Sequence, residues 1–154
     1  MKKIKRILLV ENDPKDAELT LTALEEYQLS NGVDVVRDGE EALDYLYCSG
    51  NFQTRNDDIP AVVILDLKLP KVSGLDVLRQ IRADEKLKLV PVVILTSSRE
   101  EQDLIASYQL GVNAYVVKPV DFHQFIEAVK TLGIFWVALN EAPLADLNNH
   151  QKSH

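Results

Sequence analysis

Val62-Val63-Ile64-Leu65-Asp66 decides how this chain is read: four apolar residues closed by a carboxylate. A short unbroken apolar run belongs to a strand buried on both faces, as in a parallel sheet. The acid that ends it stands at the sheet rim, where a reactive group is held rigid yet can be reached. Two further runs end in the same way. Val92-Val93-Ile94-Leu95 stops at Thr96, and Ala114-Tyr115-Val116-Val117 stops at Lys118-Pro119. An acid, a hydroxyl and an ammonium on three strand ends make a phosphoryl-handling site if those ends converge.

Working outward, short apolar runs alternate with amphipathic segments, the pattern of a parallel sheet covered by helices. Strands are predicted near residues 4–10, 32–37, 61–66, 91–96 and 113–117. Helices are predicted near 14–28, 39–48, 74–84, 99–109 and 121–137, and right-handed crossovers put them on both faces of an open sheet. Asp13-Pro14 reads as a cap followed by proline at the first helical position, with Asp16 favoured in the first turn by the helix dipole. Gly32 and Gly111 read as helix stop signals. The polar connection over residues 49–59 reads as a decorative surface loop, where an insertion costs the fold little.

At 154 residues one domain is expected, with about 70% of its unfolded surface buried on folding. We expect it to span residues 1–139, the last helix continuing into an apolar extension, before a polar, frayed tail over 140–154. No apolar stretch is long enough for a membrane span or a signal-peptide core, so a cytoplasmic location is expected. One cysteine, Cys48, excludes an internal disulfide and a thiolate zinc cluster, and reads as a half-buried thiol on a helix. Seventeen basic against 24 acidic residues, a net charge of −7, argue against nucleic-acid binding.

Open α/β sheets bind ligands at the carboxyl ends of their strands, where the winding reverses. With strand order 2-1-3-4-5 the reversal lies between strands one and three, so Glu11-Asn12-Asp13 would meet Asp66 there. These residues resemble the receiver domain of two-component response regulators. Ile7-Leu8-Leu9-Val10-Glu11-Asn12-Asp13-Pro14, Leu65-Asp66-Leu67-Lys68-Leu69-Pro70 with Gly74, Leu95-Thr96-Ser97 and Val117-Lys118-Pro119 carry the likeness, which covers about residues 5–133. Thirty residues separate Asp66 from Thr96, and 22 separate Thr96 from Lys118.

The resemblance implies a flavodoxin-like fold and transfer of a phosphoryl group from a kinase histidine to Asp66. Two anionic reactants must approach in line, so cationic neutralisation carries most of the catalysis. Magnesium or manganese would supply it, held by Asp66, Glu11, Asn12 and the main-chain carbonyl of Lys68. Lys118 would act as a point charge on the acyl phosphate, and Thr96 would donate its hydroxyl to a phosphoryl oxygen. Where the family commonly has two adjacent acids, this chain has Glu11-Asn12; the amide implies weaker metal binding, unless Asp13, which also suits a cap, takes part.

In receivers the position of Tyr115 is often an aromatic that changes rotamer as the hydroxyl is drawn to the phosphate; permanent packing is the alternative. Pro119 is expected to follow a cis peptide, as in the family. The apolar run from Ile134 to Leu139, with Phe135 and Trp136, reads either as a homodimer surface together with the fourth and fifth helices or as packing within one molecule. The extension, the long loop and Leu67-Lys68-Leu69-Pro70 also resemble the small single-domain regulators that partner cyanobacterial phytochrome histidine kinases. A pseudo-receiver is the second reading, supported by Asn12 alone. A phosphohydrolase of the haloacid dehalogenase type is the third; it requires an acid two residues after the nucleophile, where this chain has Lys68. Slow autodephosphorylation at most is therefore expected.

Overall fold

The computed structural model describes residues 6–26, 32–55 and 59–128. Strand β1 (Ile7–Val10) leads to helix α1 (Pro14–Glu26), β2 (Val33–Val36) to α2 (Gly39–Tyr47), and β3 (Val62–Leu65) to α3 (Gly74–Ala83). Strand β4 (Val92–Thr96), α4 (Glu101–Gln109) and β5 (Ala114–Val117) follow. Residues 122–128 are helical and are called α5. The strands form one parallel sheet in the order 2-1-3-4-5, so the sequence pattern gave both topology and class correctly.

The pleat divides the core in two. Leu8, Val10, Val63, Leu65, Val92 and Ile94 face one side, packed with Ala42, Tyr45 and Leu46 of α2 and Val77, Leu78 and Ile81 of α3. Ile7, Leu9, Val62, Ile64, Val93 and Leu95 face the other, with Ala17, Ala23 and Leu24 of α1 and Phe125 and Ile126 of α5. Successive side chains point to opposite faces, so a run such as Val62–Leu65 is apolar throughout because each face carries a helical layer. Burying one such Leu, Ile or Val contributes about 1.5–3 kcal/mol, which fixes the register to which the rim residues are attached.

Local chemistry sets the helix starts. The Asp13 carboxylate accepts from the backbone N–H of Lys15 at 2.8 Å and of Asp16 at 3.3 Å, with Pro14 as first helical residue. The Asp38 carboxylate caps α2 through Glu41 N–H at 2.8 Å, while Glu41 accepts from Arg37 N–H at 2.7 Å. Ser73 caps α3. Several helix ends differ from the sequence expectation by a residue or two. Helix α2 stops at Tyr47, with Cys48 in the left-handed conformation (φ 56°) just beyond it. Helix α4 starts at Glu101, two residues late, because Ser98 N–H is bonded to the Thr96 hydroxyl and Glu100 N–H to the Ser98 hydroxyl, which hold the preceding loop out of helix.

The connection over 49–59 is more than decoration. It contains a 3-10 turn (Gly50–Phe52), the Phe52 ring packs edge-on against Tyr45, and the Arg55 guanidinium lies 4.0 Å from the Tyr45 ring centre. Arg55 also donates to the Tyr45 carbonyl at 2.7 Å. Tyr45 in turn donates to Asp34, which holds Arg6 through two bonds of 2.6 and 2.8 Å, so the loop is fastened to the start of the sheet. The expected apolar extension with Phe135 and Trp136, and the polar tail, lie outside the described residues.

Candidate functional site

The register brings the strand ends together. Val10 pairs with Leu65, and Asp66 N–H donates to the Val10 carbonyl at 3.1 Å, so Glu11 and Asp66 leave adjacent strands side by side. Thr96 pairs with Val117, and Lys118 N–H donates to the Thr96 carbonyl at 2.8 Å. From β5 the Lys118 side chain reaches across β4 and β3. Its ammonium lies 2.8 Å from Glu11 Oε1, 2.8 Å from Asp16 Oδ2 and 3.1 Å from Asp66 Oδ2. The other Asp66 oxygen accepts from Lys68 N–H at 3.1 Å, and Glu11 Oε2 accepts from Asp13 N–H at 3.1 Å. The Lys118–Pro119 peptide is cis.

Three carboxylates share one ammonium. With Glu11 and Asp66 both buried, the group keeps a surplus of two negative charges in a poorly solvated place. Burial pushes the Glu11 carboxyl above its ordinary range, against the opposing pull of its bond to Lys118. Burial alone would depress the Lys118 ammonium, yet its bonds to Asp16 and Glu11 and the charge on Asp66 outweigh that and hold it above the usual lysine range. Asp16 is the member of this cluster that sequence reasoning missed. A first-turn acid is already explained by the helix dipole, and no local signal says that α1 also aims it at Lys118.

Thr96 is fully buried, and its hydroxyl oxygen accepts from Ser98 N–H at 3.3 Å within its own loop. Tyr115 is half-buried and its hydroxyl donates to the Ser98 carbonyl at 3.2 Å, so Thr96 and Tyr115 hold the same short loop. Burial raises the Tyr115 phenol above its usual range. The Ser98 hydroxyl is bonded to Asp103 in the first turn of α4. Asn12 is exposed, beside the rim, while Asp13 is engaged as the α1 cap.

Glycine has a separate part here. A Cβ on Gly74 would stand 2.2 Å from the Asp66 carbonyl oxygen and 2.6 Å from Leu67 Cα, so the start of α3 presses directly on the backbone that carries the rim acid. Among the described residues no three Asp, Glu, His or Cys side chains converge in metal-ligating geometry. The oxygens of Glu11 and Asp66 with their surplus charge nevertheless fit a hard divalent cation that keeps several waters and takes main-chain oxygen.

The family model of the response regulator receiver domain matches residues 7–130 of this sequence, a range that holds the acid rim and the lysine from β5. The chain belongs to the response regulator receiver family. Rcp1 of Synechocystis sp., a response regulator, is 36% identical to this receiver over 141 residues, covering 92% of this chain and 95% of Rcp1. Rcp1 has been solved in a Mn2+-bound form, with TM-score 0.73, 36% identity and coverage of 86% of this chain and 94% of that one. The bacteriophytochrome response regulator RtBRR superposes with TM-score 0.79 at 56% identity, covering 98% of this receiver and 93% of RtBRR. AtBRR, another bacteriophytochrome response regulator, gives TM-score 0.76 at 60% identity, over 87% of this chain and 96% of AtBRR. Among the described residues no helix of the receiver is long and apolar enough to cross a membrane.

Proposed function

We propose that this receiver takes a phosphoryl group from a histidine kinase of the phytochrome type onto Asp66 and signals through the loop that Thr96 and Tyr115 share. The observation that carries this reading is the Lys118 ammonium 3.1 Å from the Asp66 carboxylate at the switch point of the sheet. In the transfer an Asp66 oxygen bonds to phosphorus as the phosphorus–nitrogen bond to the kinase imidazole breaks, and the imidazole leaves with the electron pair. A bound Mg2+ or Mn2+ would neutralise charge on the phosphoryl oxygens, held by Glu11, Asp66, the Lys68 carbonyl and Asn12.

The chain's own groups do the rest. Lys118, shared among three acids, is drawn toward the new phosphoryl oxygens and keeps their charge balanced. Thr96 gives up its contact with Ser98 N–H and donates its hydroxyl to a phosphoryl oxygen. That frees the loop to which Tyr115 is bonded, and Tyr115 changes rotamer. Helix α4 is poorly seated, burying Ser107 alone, whose hydroxyl lacks a partner, so a small shift of the loop is enough to move it. Leu104, Ile105 and Tyr108 are exposed on α4, which supports a homodimer surface there with α5 and Phe135 and Trp136 of the extension. Lys68 offers no carboxylate to activate water, so autodephosphorylation is slow.

Transfer from phosphorylated phytochrome-type kinases to the wild type and to Asp66→Asn, in magnesium, tests the proposal. Labelling of the wild type alone is expected; equal labelling of both rules out Asp66 as acceptor.

A further inference from the structure

The loop between β3 and α3 carries the Lys68 carbonyl, and its shape is held from outside. Within the loop, Val72 N–H donates to the Pro70 carbonyl at 2.8 Å, a bond spanning three residues with Lys71 at φ 70° in the middle. A tight turn of this sort with a non-glycine residue at positive φ is strained, and it persists only where neighbours over-determine it. Its ends are tied near Asp66, by Lys68 N–H on the Asp66 carboxylate and by Gly74 N–H on the Leu67 carbonyl at 2.9 Å. Its tip is tied by α2. Gly39 N–H, one of the helix's unpaired first-turn donors, reaches the same Pro70 carbonyl at 3.2 Å.

The approach is possible because residue 39 has no side chain. A Cβ there would stand 1.9 Å from the Val72 carbonyl oxygen, 2.6 Å from its carbon and 2.7 Å from Val72 Cβ. Two of those three neighbours are backbone and cannot rotate away. The Lys71 ammonium also pairs with Asp38 at 3.7 Å and Glu40 at 3.4 Å, but at 60% side-chain exposure these pairs contribute little. We infer that Gly39 is a positioning residue for the cation site: by seating α2 directly on the strained turn, it sets where the Lys68 carbonyl stands relative to Asp66, without touching either. The inference rests on the reading of that carbonyl as a cation ligand.

Mn2+ titration followed by the electron paramagnetic resonance of the free ion tests it on the full chain. Gly39→Ala is expected to weaken Mn2+ binding about tenfold, as loss of an outer-shell support does. Gly111→Ala is the control for general destabilisation, since Gly111, unlike Gly39, has positive φ (74°), while its Cβ would meet nothing nearer than Arg82 Nε at 3.7 Å; Mn2+ affinity there stays within about twofold of wild type. Phosphorylation by a small acyl phosphate separates positioning from general damage: the Mn2+ concentration for half-maximal rate rises in Gly39→Ala, while the rate at saturating Mn2+ stays within about twofold of wild type. Wild-type affinity in Gly39→Ala overturns the inference. Failure of the wild type to bind Mn2+ overturns the cation reading beneath it. Should Gly39→Ala not fold, the wild type decides. On adding Mg2+ the Gly39 amide resonance shifts in step with that of Lys68 while that of Gly111 stays, and an unmoved Gly39 resonance overturns the inference.

Discussion

Replacing Lys118 with methionine removes one positive charge and keeps most of the apolar stem, so it isolates the electrostatics of the site. Three contacts are lost, to Glu11, Asp16 and Asp66. The Asp16 side chain is 33% exposed, and that bond, screened by water, is worth at most about 1 kcal/mol. Glu11 and Asp66 side chains are 2% and 8% exposed; their charge-assisted bonds contribute about 1.5–3 kcal/mol each. The sum falls near the ~3–5 kcal/mol cost of breaking a buried pair, a fall in Tm of about 10 °C for a chain of this size.

The cost depends on pH, and its sign follows from Glu11. Burial already raises that carboxyl in the folded protein, and without Lys118 it rises further. An acid whose folded value exceeds its unfolded one, about 4.3, stabilises the fold fully below that value and less as pH rises through the folded one. The Lys118→Met deficit should therefore be largest at pH 7.5 and smaller at pH 5. Urea unfolding of both proteins at the two pH values measures it. A deficit under ~1 kcal/mol at pH 7.5, or one identical at both, refutes the shared-ammonium account.

Asn12→Asp restores a second acid beside Glu11 and should tighten Mg2+ binding about tenfold, a gain of ~1.4 kcal/mol; calorimetric titration showing unchanged affinity removes the amide as the weak point. Gly74→Ala drives a methyl into the Asp66 carbonyl, and the loss of ~2–3 kcal/mol from overpacking exceeds the ~1 kcal/mol gained in helix propensity, so thermal unfolding should occur several degrees lower.

What was legible in the sequence depends on how far apart the causes lie along the chain. The runs ending at Asp66, Thr96 and Lys118 gave the sheet and its rim, because burial on both faces leaves a mark in every residue of a strand. Asp13-Pro14 gave the α1 start for a similar reason: cap and proline act on their own neighbours. Helix α4 began late because the Ser98 hydroxyl sits among backbone groups in a way that no periodicity records. Asp16 was hidden behind a sufficient local explanation. Gly39 and Val72 meet only through the tertiary fold, and the grip of Arg55 on Tyr45 needs the loop closed before it exists.

The surplus of acid around Lys118 also bears on how such a protein would change under selection. Substituting Asp66 by an amide relieves repulsion on the raised Glu11 and leaves Lys118 paired with Glu11 and Asp16, which offsets the lost Asp66 bond, so the change costs the fold little while removing the proposed phosphoryl acceptor. A library screened for heat resistance alone would retain inert regulators. Variants gained that way need a phosphorylation assay beside the melting curve before any is called an improvement.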